Sequence, residues 1–173
     1  MESVLINKIK FEAMGTDIEI IIDGDKKLLN IAKKRLDILE NKWSRFLPSS
    51  EISNLNNSQE KRIEISNDTA LLIRRAIEGY QLSEGLYDPT ILGDLLKAGY
   101  SKSFEKIKND KSNHGMNSEL HSGTDQIVFN ASNAITLGKG VGFDPGGIGK
   151  GLASDLIANE ILDLGANSVL INI

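Results

Sequence analysis

Gly142-Phe-Asp-Pro-Gly-Gly-Ile-Gly-Lys-Gly-Leu-Ala-Ser-Asp155 carries an apolar run into a glycine-packed turn and then into the start of an amphipathic helix. Gly146, Gly147, Gly149 and Gly151 have no Cβ, so the backbone reaches dihedrals closed to other residues and a ligand can approach its peptide groups. Behind them Leu152 and Leu156, with Ala153, Ile157, Ile161 and Leu164, recur at helical spacing, and Gly165 supplies a stop. A helix N-terminus therefore sits beside the turn, and its unpaired N–H groups and partial positive charge suit an anion. Lys150, in the first turn, opposes the macrodipole unless something negative is near, and either Asp144 or a bound phosphate can fill that role. Two readings stay open: a phosphate cradle, or a plain turn with Asp144 as turn former and Lys150 solvated.

Counting excludes two familiar phosphate loops. A Walker loop needs Gly at 144 and Ser or Thr at 151, where this chain has Asp144 and Gly151. The dinucleotide fingerprint needs Gly at 152 or 154, which are Leu152 and Ser154.

The 173 residues, 40% hydrophobic and 25% charged, suffice for one domain, 1–173, with a sizeable core. The net charge of −4 and the absence of a long Lys/Arg block argue against a nucleic-acid partner. With no cysteine, disulfides, thiolate zinc sites and thiol catalysis are excluded. The N-terminus lacks the pattern of a signal peptide and no stretch is apolar enough to span a bilayer, which predicts a cytoplasmic chain.

Taken in order, residues 4–12 and 17–23 read as strands, with Ile18, Ile20 and Ile22 on one face and Met14-Gly15-Thr16 as a bend or bulge. Asp25 caps a helix whose stripe is Leu28, Ala32, Leu36, Leu39 and Trp43, and Pro48 keeps it from running on. Glu51–Asn56 allows one helical turn, and a second helix runs from about Asp68 to Ser83, capped by Ser66 or Asn67. In Leu86-Tyr87-Asp88-Pro89-Thr90 the proline holds a carboxylate, a phenol and a hydroxyl in one rigid loop, as a site or simply as a turn. From Ser101 to Asp125 the chain reads as a polar surface excursion with a short helix at Phe104 and Ile107 and two solvated histidines, His114 and His121. Strands return at Gln126–Asn130, Ala134–Gly138 and Gly140–Asp144. The last of these, the helix after it and Ser168–Ile173 predict a βαβ unit at the end of an α+β fold with a mixed β-sheet core and packed helices. An apolar strand that stops with no turn or polar tail predicts that the chain is part of something longer.

Four stretches, Ala13-Met-Gly-Thr16, Ser44-Arg-Phe46 followed by Ser50-Glu-Ile-Ser-Asn-Leu-Asn56, Gly85-Leu-Tyr-Asp-Pro-Thr90 and Asp144-Pro-Gly-Gly-Ile-Gly-Lys-Gly151, resemble in order and spacing the flavin transferases of the ApbE type. The resemblance covers nearly the whole chain and the N-terminal half, or slightly more, of the family pattern. It implies an incomplete T-fold-like flavin-transferase domain that binds FAD and Mg2+ and moves FMN to a threonine hydroxyl of a target flavoprotein, releasing AMP. Carried over by position, Met14, Phe46, Leu86, Tyr87, Asp88, Asp144 and Lys150 match places that contact FAD, and Gly147 matches a place that gives magnesium a main-chain carbonyl. Phe46 stands where an aromatic ring stacks on flavin or adenine. Ionised Asp88 and Asp144 only accept hydrogen bonds, which suits ring N–H groups or ribose hydroxyls and leaves Lys150 as the phosphate partner. Asp144-Pro replaces the more usual Asp-Leu, fixing φ at Pro145 and removing a donor. The family's aspartate and threonine metal ligands, and its histidine near the pyrophosphate, have no counterpart in these residues. Two further readings are a flavin-binding module without transfer and a hydrolase of the FAD pyrophosphate.

Overall fold

In a computed structural model, which describes residues 5–101 and 118–173, the two N-terminal runs pair as a hairpin. Strands β1 (Ile6–Ala13) and β2 (Thr16–Asp23) are antiparallel, closing on the pair Ala13↔Thr16. The connecting Met14 and Gly15 have φ of 50° and 70°, the left-handed pair whose twist matches that of the flanking strands. Ile18, Ile20 and Ile22 are at most 1% exposed, as their alternation predicts, and each buried Ile contributes roughly 1.5–3 kcal/mol.

The described residues fall into two compact units. The first takes in the described part of Met1–Glu40 together with Gly149–Ile173, and the second the described part of Asn41–Ile148. In the first, helix α1 (Lys27–Trp43) begins after Asp25, whose Oδ1 accepts the Lys27 N–H at 2.8 Å. Leu28, Ala32, Leu36 and Leu39 are buried as the stripe requires, and so is Trp43, which falls in the second unit. The C-terminal helix, α5 (Gly149–Asp163), buries Gly149, Ala153, Ile157 and Ile161 and is tied to α1 by a two-bond Arg35–Glu160 pair at 2.9 and 3.0 Å. It stops at Gly165 as expected, with the Ala166 N–H returning to the Ile161 carbonyl at 3.2 Å; Leu164, placed on the apolar stripe by its spacing, is exposed.

The end of the chain departs from expectation. Strand β6 (Ser168–Asn172) pairs antiparallel with β2, giving the order β1-β2-β6, so the predicted βαβ unit does not form. Its residues are exposed or half-buried, the pattern of an edge strand, and Leu170 is open to solvent. An apolar run of this length does not by itself tell an edge strand from a central parallel one.

In the second unit β5 (Ala134–Leu137) lies between β4 (Ile127–Ala131) and the short β3 (Ile63–Glu64), all antiparallel, with a bulge between Phe129 and Ala131. Helix α2 (Glu51–Asn56) is capped by Ser50, whose Oγ accepts the Ser53 N–H, and α3 (Asn67–Leu82) by Ser66, which accepts from Thr69. Helix α4 (Leu92–Lys97) and β3 have no counterpart in the sequence reading. Gly140–Asp144 is not a strand but two isolated parallel bridges, Val141 to His121 and Gly142 to Ile91. The α+β class stands, with two small antiparallel sheets among the described residues. The helix expected at Phe104 and Ile107, and His114, lie outside the described residues; His121 is exposed, as expected.

Candidate functional site

Pro89 sets the site, because it pins the loop after α3 and leaves its carbonyl to accept the Asp144 N–H at 2.8 Å. That bond lays the glycine-rich turn beside Leu86-Tyr-Asp-Pro-Thr90. Tyr87 is anchored by its own N–H to Ser83 Oγ at 2.9 Å, and its ring lies directly against Gly147. A Cβ at 147 would stand 2.7 Å from Tyr87 Cε2, so only glycine fits here without displacement. The Tyr87 hydroxyl is buried with no hydrogen-bond partner among the described residues. Burial, reinforced by the carboxylates of Asp144 and Asp88, pushes the phenol up to about 12, so it is a neutral hydroxyl at physiological pH.

Asp88 is held by its neighbours. Its Oδ1 accepts the Thr90 N–H at 2.7 Å, the Thr90 hydroxyl at 2.5 Å and the Thr124 hydroxyl at 2.8 Å. Burial opposes the charge, yet the hydrogen bonds from Thr90, Thr124 and Ser122 outweigh it and hold the carboxyl below its ordinary value. Thr90 is fully buried, and Thr124 is 5% exposed, which corrects at that residue the surface excursion read from Ser101 to Asp125.

Asp144 is 7% exposed and engaged on both oxygens: Arg45 Nε stands 2.5 Å from Oδ2, and the Gly146 N–H donates to Oδ1 at 2.7 Å. The turn is fastened further by Asn56, whose side chain donates to the Phe143 carbonyl at 2.8 Å and accepts the Phe143 N–H at 2.7 Å. Phe46 is 42% exposed, with the Arg45 guanidinium 4.2 Å over its ring.

The second unit thus brings together Tyr87, Asp88, Asp144 and Gly147, with Phe46 joined to Asp144 through Arg45, and displays Leu86 at 94% exposure. Met14 and Lys150 belong to the first unit. There Met14 is half-buried, its N–H bonded to Glu40 Oε1 at 2.8 Å, and Lys150 is exposed in the first turn of α5. Sequence reasoning gave no individual role to Arg45, Asn56 or Thr124, and took Thr90 only as the hydroxyl of the Leu86–Thr90 loop. An arginine beside a loop aromatic is a readable cue, whereas Thr124 sits in a polar stretch with nothing to distinguish it. No group of three or more His, Asp or Glu side chains among the described residues is placed to hold a metal, and Asp144 is committed to Arg45. These residues alone do not fit a magnesium ion, whose octahedral shell needs several oxygens.

No curated protein matches the chain. Among solved structures it is similar to the ApbE protein of Thermotoga maritima, with a TM-score of 0.82 at 22% identity, over 96% of this chain and 57% of that one. It is similar as well to the flavinyl transferase ApbE of Pseudomonas stutzeri in its apo form, TM-score 0.81 at 18% identity, over 100% and 60%. For the flavin transferase ApbE of Vibrio cholerae the TM-score is 0.76 at 19% identity, over 98% and 58%. The chain thus spans 57–60% of the length of these three structures, and at such identities they establish the fold. The model of the ApbE family matches residues 14–173, and the chain belongs to that family.

Proposed function

We propose that this chain is the FAD-binding part of an FAD:protein FMN transferase acting on a threonine of a target flavoprotein. The observation that carries the reading is the Asp144 to Pro89 bond, which joins two of the family-like stretches into one corner with Tyr87 packed on Gly147. Its features suit a dinucleotide: Phe46 offers an exposed ring face for stacking, and Asp88 keeps an ionised carboxylate for ring N–H or ribose hydroxyl donors. Tyr87 brings a neutral hydroxyl, and Leu86 an exposed apolar surface. In the first unit, taken by itself, the N-terminal turn of α5 with Lys150 suits a phosphate.

In the proposed reaction the threonine oxygen attacks the FMN phosphorus of FAD, forming a P–O bond as the P–O bond to AMP breaks. The threonine proton is lost and AMP leaves with the bridging oxygen. The part played by these residues is binding and alignment, so that attacking and leaving oxygens lie in line. Magnesium enters the proposal through the resemblance alone: if bound, it would neutralise developing phosphate charge and the Gly147 carbonyl would offer one oxygen, with the other ligands coming from outside these residues. The test is incubation of the intact protein with FAD, magnesium and a threonine-bearing acceptor. Covalent FMN in equal amount to AMP supports transfer, free FMN with AMP means hydrolysis, and bound but intact FAD means a flavin-binding module.

A further inference from the structure

Arg45 stands between two groups of the candidate site that do not touch the ligand chemistry in the same way. Its Nε meets Asp144 Oδ2 at 2.5 Å, with only 11% and 9% of the two side chains exposed, while its guanidinium carbon lies 4.2 Å over the Phe46 ring. The backbone at Arg45 is fixed as well, since the Ser53 hydroxyl donates to its carbonyl at 3.2 Å. Asp144 cannot swing away, because its Oδ1 accepts the Gly146 N–H and its own N–H is bonded to Pro89. The guanidinium is a rigid planar group, so pairing its Nε with Asp144 restrains the surface it presents to the Phe46 ring. Phe46 is 42% exposed although the guanidinium lies over its ring.

We propose that Arg45 is a positioning residue that orients the Phe46 ring for stacking on a fused aromatic ring of the substrate, with Asp144 locking the guanidinium from behind. This deepens the FAD reading of the site and rests on it. The order is carboxylate, guanidinium, phenyl ring, ligand ring, each layer set by the one behind. Asp144 then acts on the ligand through Arg45 and Phe46, in addition to any contact of its own. Lysine in place of Arg45 keeps a charge for Asp144 and loses the plane.

A double-mutant cycle on the intact protein tests this, with FAD affinity measured by calorimetry for wild type, Arg45→Lys, Phe46→Leu and the double variant. Arg45→Lys is expected to weaken FAD about three- to tenfold when Phe46 is present and less than about twofold in the Phe46→Leu background. A purely structural role would produce the same loss in both backgrounds, and that result overturns the proposal, as does wild-type affinity in Arg45→Lys. If Arg45→Lys does not fold, Arg45→Met, which keeps the length of the side chain and removes the planar group, carries the same cycle. Repeating the cycle with FMN tells the rings apart: coupling retained with FMN places the isoalloxazine on Phe46, and coupling seen only with FAD places the adenine there. Wild-type protein that binds no flavin overturns the FAD reading and this inference together, whereas binding without coupling overturns this inference alone.

Discussion

The Tyr87 hydroxyl is buried without a partner among the described residues, and an unmade hydrogen bond is costlier than an absent one. Tyr87→Phe is therefore expected to leave folding stability unchanged or raise it by about 1 kcal/mol in urea unfolding at neutral pH. The pH dependence has a definite sign. The folded-state value, pushed up to about 12 from an ordinary 10.0, favours the neutral phenol, so this contribution is intact below pH 10 and is lost as pH rises toward 12. The Phe variant should lack that part of the alkaline loss; identical alkaline curves for the two proteins would remove Tyr87 as its source. Asp88 behaves in the opposite sense. Its folded value lies below the ordinary 3.8, so the stabilisation is present above that pH and is lost as pH falls through the folded value. Thr124→Val removes one of the donors and is expected to destabilise by about 1 kcal/mol at pH 7, discounted for partial exposure, with the difference shrinking in acid below the ordinary carboxylate value. A difference that stays constant down to pH 2 would mean that packing, not the carboxylate, is what the valine disturbs.

At the scale of elements, the turn between Asp144 and α5 tolerates little change. Gly147→Ala drives a methyl to 2.7 Å from the Tyr87 ring, and either the ring or the turn must move. A loss of roughly 1–3 kcal/mol in thermal or urea unfolding is expected, with FAD binding weakened further because Tyr87 is displaced. Partial recovery of stability by Tyr87→Leu in the same chain would identify the clash as the cause. Helix caps offer a milder comparison. Ser66 Oγ accepts the Thr69 N–H and donates to Glu51 Oε2 at 2.9 Å, so Ser66→Ala should lower stability by about 1 kcal/mol without altering ligand affinity. The caps, the Met14-Gly15 hairpin and the stop at Gly165 were all readable, because each is decided by a few consecutive residues. β3 and α4 were not, since a two-residue strand has no period of its own and Leu92–Lys97 is too short for one.

For the whole molecule, the proposed FAD binding acts on the folded state alone, which makes stability depend on FAD concentration. FAD at about one hundred times its Kd should raise the unfolding free energy by about 2.7 kcal/mol, read from the shift of the thermal midpoint with Trp43 fluorescence reporting on the second unit. No shift at any FAD concentration would count against the binding reading. Two open grooves belong to the first unit: one of about 690 Å³ lined by Asn7, Asp23, Asp25 and Asn167, and one of about 460 Å³ lined by Lys10, Phe11, Glu19 and Asn172. None of the residues assigned to FAD lines either. No helix among the described residues is long and apolar enough to cross a membrane.

The family resemblance of four ordered stretches chose the residues at which a flavin site was sought, while the sequence by itself determined the two N-terminal strands, the helices α1, α3 and α5, and the buried face of Ile18, Ile20 and Ile22. These follow from period, caps and turn chemistry, which act within a few residues along the chain. Tertiary structure alone decided that β6 joins β2 antiparallel at a sheet edge, that Thr124 turns inward to Asp88, and that Arg45 rather than Lys150 holds Asp144. Each of those choices sets one stretch against another far away in sequence, where burial and charge pairing, not local preference, select the partner.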